Sequence, residues 1–125
     1  MKILIIDDEP LVRRSLERVF QSHQHEVQCA ENGIEGLKRW LEFHPDLIFL
    51  DVLMPGLTGP EVLRNFELES QKKSLLSKKA KVILMSAFTG DKQMTDPKGL
   101  GADLFMAKPF ESIFSVYDQA MELMK

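Results

Sequence analysis

The 125-residue chain, 44% hydrophobic and 28% charged, has the length and balance of one folded domain spanning residues 1–125, neither disordered nor membrane-embedded. A net charge of −3 offers no basic face to a nucleic-acid backbone, so this domain is expected to make no direct nucleic-acid contact. The apolar runs fall far short of the ~20 residues of a membrane span, and Met1 leads directly into a strand-like segment rather than a signal peptide, so the expected location is the cytoplasm, away from the membrane.

In chain order, Ile3–Ile6 is continuously apolar, the mark of a parallel strand covered on both faces. It ends in Asp7-Asp8-Glu9, and Pro10 opens a segment where Val12, Leu16, Val19 and Phe20 recur at helical spacing. Val27–Ala30 alternates like a half-buried strand; its Cys29 is the single cysteine, unable to form an internal disulfide, and reads as an inert core thiol. Ile34, Leu37, Trp40 and Leu41 form a second helical face, and the apolar run Leu47–Leu50 then closes on Asp51. Thr58 and Glu61, with Pro60 between them, have the form of a capping box, which starts a third helix carried by Leu63 and Phe66. Glu69 to Lys81 is polar, with five lysines around Leu75 and Leu76, and predicts a helix end and a solvated loop. Val82–Met85 is followed by Ser86. A fourth helix belongs in Thr89 to Leu100, but Gly90, Pro97 and Gly99 lie there, and an interior proline costs a helix ~3 kcal/mol. That helix is expected to be short, displaced or mobile. Leu104–Ala107 ends on Lys108-Pro109, and Ile113, Val116, Tyr117, Ala120, Met121 and Met124 outline a last helix. His23, His25 and His44 are scattered and read as surface residues.

Strands alternating with helices imply right-handed crossovers and a parallel sheet covered on both sides. Ligands of such sheets bind beyond the carboxyl ends of the strands, so the residue after each apolar run is the informative one. Here those residues are Asp7-Asp8-Glu9, Asp51, Ser86 and Lys108. Each has a plain local role as well, as a turn residue, a helix cap or a loop. Those separate roles leave unexplained why four strand ends present complementary charge on one edge. If the strand order is 2-1-3-4-5, the first and third strands are neighbours and Asp7, Asp8 and Asp51 share a crevice. Clustered carboxylates repel, so the group calls for a cation, and Mg²⁺ suits carboxylate oxygens. Lys108 would supply a second positive charge.

The stretches Ile5-Ile6-Asp7-Asp8-Glu9-Pro10, Asp46 through Gly56, Met85-Ser86-Ala87 and Gly101 through Phe110 resemble the receiver domain of two-component response regulators, of the chemotaxis-regulator-like kind, over essentially the whole chain. The resemblance implies an α/β, flavodoxin-like, doubly wound five-stranded parallel sheet of order 2-1-3-4-5 with five helices. It implies Asp51 as the phosphoryl acceptor and a Mg²⁺ site made by Asp8 directly, Asp7 mainly through water, Asp51 and the backbone carbonyl of Leu53. Ser86 would contact the acyl phosphate, Lys108 would pair with its oxygens, and the Lys108–Pro109 bond is often cis in such domains. Phe105 would turn inward when Ser86 moves. The implied partners are a sensor histidine kinase or phosphotransfer protein and an output partner or output domain, read by the face of the fourth helix, fifth strand and fifth helix.

Such a domain is not an enzyme towards other substrates; its chemistry is Mg²⁺-dependent self-phosphorylation and self-dephosphorylation in a phosphorelay. In similar receivers the positions two past the acceptor and two past the hydroxyl flank the path of a hydrolytic water. Here both are bulky and apolar, Leu53 and Phe88, which implies a long-lived phosphoprotein. The chain between Asp51 and Ser86 is a few residues longer than in common receivers. The main alternative is a degenerate receiver acting as an unphosphorylated protein-interaction domain. A phosphatase of the haloacid-dehalogenase type would need an acid where Leu53 stands, and a flavin binder of the flavodoxin type would meet repulsion between its phosphate and Asp7-Asp8-Glu9.

Overall fold

Each of the five apolar runs forms a strand, and all four pairings between them are parallel, in the order 2-1-3-4-5 counted along the chain. The computed structural model describes residues 1–72, 80–86 and 101–125. Within them the elements are β1 (Lys2–Ile6), α1 (Pro10–Ser22), β2 (Glu26–Ala30), α2 (Gly33–Phe43), β3 (Leu47–Asp51), α3 (Gly59–Lys72), β4 (Lys81–Ser86), β5 (Leu104–Ala107) and α4 (Ile113–Leu123). The expected fourth helix at Thr89 to Leu100, and most of the lysine-rich loop before β4, lie outside the described residues; α4 is the helix expected at the C-terminus.

Two aspartates set the register at the amino ends of the strands. The Lys2 amide donates to the Asp46 carboxylate at 2.7 Å, while the Asp46 amide donates to the Lys2 carbonyl at 2.8 Å. Asp103 repeats the device on β4, its carboxylate accepting from the Val82 amide at 2.8 Å and its own amide donating to the Val82 carbonyl at 2.8 Å. Fixing the register matters because a slip of one residue would turn every side chain of a strand to the opposite face.

The two faces of the sheet then build two cores. Leu4, Ile6, Ile48, Leu50 and Leu84 pack on one side with Trp40, Phe43 and Val62 of α2 and α3. Ile3, Ile5, Phe49, Ile83 and Met85 pack on the other with Leu16, Val19 and Phe20 of α1 and Val116 and Ala120 of α4. Aromatic rings join the layers: Trp40 stacks on Phe66 at 4.0 Å, and Phe20 lies 5.4 Å from Phe49 and 5.3 Å from Tyr117. The edge strand β2 is only half-buried, as its alternation implies. Cys29 sits there with its thiol 3.6 Å from the Glu17 carboxylate. Burial, then the Glu17 charge, pushes the thiol up to about 12 and leaves it unreactive. His23 and His44 are exposed, but His25 is half-buried against the rings of Phe20 and Tyr117, so it is not simply a surface residue.

The capping box forms as the spacing predicts, with the Thr58 amide donating to Glu61 Oε1 at 3.0 Å and the Glu61 amide to Thr58 Oγ1 at 3.3 Å. It places Gly59 directly against the turn that follows β3. A Cβ at Gly59 would lie 2.7 Å from the Asp51 carbonyl oxygen and 3.1 Å from Val52 Cα, both backbone atoms with little room to move. Gly59→Ala is therefore expected to lower folding stability by about 1–3 kcal/mol in urea denaturation; an unchanged midpoint would mean that α3 does not press on this turn.

Candidate functional site

Two strands run one residue further than the apolar pattern indicates, and this carries chemistry into the sheet. The Val52 amide donates to the Met85 carbonyl at 2.9 Å and the Lys108 amide to the Ser86 carbonyl at 2.8 Å, so the ladder continues through Asp51 and Ser86. Among the described residues the buried polar or charged side chains are Asp7, Asp51, Ser86 and Lys108. All four lie at the carboxyl edge of the sheet.

Because β1 and β3 are paired, with Ile6 opposite Leu50, Asp7 and Asp51 leave the sheet side by side. Asp7, Asp8 and Asp51 each offer one carboxylate oxygen, and the three oxygens lie within 4.8 Å of one another. Asp8 is exposed while the other two are buried. Lys108 enters from the far side of the sheet, after β5, through a cis Lys108–Pro109 bond. Its ammonium stands 2.9 Å from Asp7 Oδ2, 3.2 Å from Glu9 Oε1 and 3.3 Å from Asp51 Oδ2. The β1–α1 turn is held by two further contacts: the Glu9 amide donates to Asp7 Oδ1 at 2.8 Å, and Arg13 Nη1 donates to the Asp7 carbonyl at 2.7 Å.

Of the other residues singled out from the sequence, Leu53 lies two positions past Asp51 and is 61% exposed. Phe105 is half-buried against the α2/α3 side of the core. Phe88 lies outside the described residues. Sequence reasoning missed the contact between Glu9 and Lys108 and the hold of Arg13 on the Asp7 carbonyl.

The electrostatics follow from burial around an excess of negative charge. Burial, then the neighbouring Asp7 charge, raises Asp51 to about 7 despite the opposing pull of Lys108. Asp7 is also raised, with burial the chief cause. Burial pulls Lys108 down, yet its pairings with Asp7, Asp51 and Glu9 together outweigh that and leave it raised. One ammonium thus faces three carboxylates, two of them buried, and Asp8 adds a fourth beside Asp7 and Asp51. Such a surplus on hard oxygen donors fits a divalent cation of the Mg²⁺ type, which takes one or two carboxylates and completes its shell with water.

Residues 3–113 match the family model described as the response regulator receiver domain. The chain is 33% identical over 110 residues to sporulation initiation phosphotransferase F of Bacillus subtilis, covering 88% of this chain and 83% of that protein. It is 34% identical over 110 residues to the regulatory protein AtoC of Escherichia coli, but spans only 22% of that longer protein. Among solved structures it is similar to the response regulator protein TrrA of Thermotoga maritima in complex with Mg²⁺-BeF, with 34% identity, a TM-score of 0.75, and 98% of this chain and 97% of that chain covered.

The raised Asp51 carboxyl has a thermodynamic signature. Its folded value of about 7 lies above the ordinary 3.8, so between these pH values the folded state keeps a proton that the unfolded carboxyl has released. In chelator, this group's contribution to stability therefore falls as pH rises through that window and stays low above it. Asp51→Asn is expected to melt several degrees above wild type at pH 8 in chelator, with the gap closing towards pH 4; no gap at pH 8 would count against the buried charge surplus.

Proposed function

The chain belongs to the response regulator receiver domain family, and on that premise we propose that Asp51 accepts a phosphoryl group in a two-component phosphorelay. The observation that carries the reading is the buried Lys108 ammonium 3.3 Å from the Asp51 carboxylate, on the edge where Asp7 and Asp8 converge. Phosphoryl transfer asks little covalent work of a protein; it needs an in-line nucleophile and positive charge on the equatorial oxygens. An Asp51 oxygen forms the new bond to phosphorus as the bond to the donor's histidine nitrogen breaks, and the leaving imidazole takes up a proton. Lys108 holds a phosphoryl oxygen and offsets its charge.

The residues that would hold Mg²⁺ are Asp8, Asp51, the backbone carbonyl of Leu53 and, mainly through water, Asp7. When bound, the ion neutralises the carboxylates and the incoming phosphoryl group together. The new acyl phosphate then draws the Ser86 hydroxyl, and Phe105 follows to change the face presented to an output partner or output domain. The donor is a sensor histidine kinase or phosphotransfer protein, the place of action is the cytoplasm, and the domain turns over no other substrate. On this reading the domain itself makes no direct contact with nucleic acid or membrane. Among the described residues no helix is long and apolar enough to cross a membrane.

Incubation with a small-molecule phosphodonor and Mg²⁺ should add one phosphoryl group to the intact protein, and none to Asp51→Asn or in chelator; full labelling in either control rejects the assignment. The exposed Leu53 side chain offers a hydrolytic water no hydrogen bond. Once the donor is removed, Leu53→Asn should lose its phosphoryl group several-fold faster than wild type; equal rates would show that water approaches by a path Leu53 does not line.

A further inference from the structure

Glu9 is the N-cap of α1, with an extended backbone at φ −88° and ψ 116° and Pro10 after it. A short side chain such as Asp at this position turns back to accept from the first amides of the helix; Glu is longer and can reach elsewhere. The Glu9 side chain makes no such bond. It reaches instead to Lys108, with Oε1 3.2 Å from Nζ. A lysine ammonium has three N–H donors, and the Lys108 ammonium has three carboxylates around it: Asp7, Glu9 and Asp51. A phosphoryl oxygen arriving on Asp51 therefore has to displace one of them.

The three are not equally displaceable. The side chains of Asp7 and Asp51 are 0% and 4% exposed and have no water to return to, whereas the Glu9 side chain is 56% exposed. On leaving, the Glu9 carboxylate is rehydrated at once, while Lys108, itself only 5% exposed, keeps its two buried partners. We propose that Glu9 is a positioning residue for Lys108, a place-holder whose carboxylate occupies the position on the ammonium that a phosphoryl oxygen takes. The inference rests on reading Asp51 as the acceptor and Lys108 as its cation. In the unphosphorylated protein Glu9 keeps the ammonium at the mouth of the site, and on phosphorylation it swings into solvent. The cost of that displacement lowers the affinity of the site for a phosphoryl group.

A plain role as negative charge at a helix N-terminus predicts differently, and Glu9→Asp separates the two. It keeps the charge at the start of α1 but is one methylene too short to hold Lys108; Glu9→Gln keeps the length and an accepting Oε1 but removes the charge, and so holds the ammonium more weakly. Beryllofluoride, a phosphoryl mimic, is titrated calorimetrically into wild type, Glu9→Asp, Glu9→Gln and Asp51→Asn in saturating Mg²⁺, with melting curves recorded for each. The place-holder role gives roughly two- to fivefold tighter binding in both Glu9 variants. Glu9→Asp binding like wild type overturns it, even if Glu9→Gln binds more tightly. Equal binding by wild type and Asp51→Asn, or none by wild type, instead removes the acceptor reading and the inference with it.

Discussion

The buried ammonium of Lys108 holds the carboxyl edge of this sheet together. Buried charges are tolerated only when paired, and neither Asp7 nor Asp51 could be placed there without Lys108. The pairing is long-range: Lys108 lies 101 positions from Asp7 in the chain. It can form only once β1, β3 and β5 have been assembled, so the two apolar layers of the sheet serve as the scaffold for a small polar site. The match is incomplete by design of charge, since one cation does not balance the carboxylates around it. The elevated Asp51 is the visible result of that imbalance.

Much of this was legible in the sequence. Buried parallel strands must be apolar on both faces, which makes Ile3–Ile6, Leu47–Leu50 and Val82–Met85 stand out from the helical segments between them. Polar residues abutting such runs therefore mark the edge, and Asp7, Asp51, Ser86 and Lys108 are all found there. The start of α3 was readable too, because a capping box depends on neighbours in sequence and needs no tertiary partner.

Other contacts left no trace because they depend on where distant segments meet. Nothing in the spacing of Glu9 or Arg13 says that one reaches Lys108 and the other the Asp7 carbonyl. The half-burial of His25 depends on Tyr117, which lies 92 positions away. Asn32 and Ser112 cap α2 and α4 through the amides of Glu35 and Ser115, yet each looks like an ordinary loop residue until the helix it starts is known. The extension of β3 and β4 into polar residues escapes a hydropathy pattern, because the ladder is made by backbone groups that are the same in every residue type.

The aspartate pairings at Asp46 and Asp103 bear on how such a domain can diversify. They fasten β1 to β3 and β4 to β5 at the ends of the strands opposite the reactive edge. Alignment of the strands is thereby secured by groups that take no part in the chemistry. Substitutions along the carboxyl rim can then alter its charge and shape without setting the strands adrift. Innovation and integrity are assigned to opposite ends of the same five strands, and a lineage can explore one while leaving the other alone.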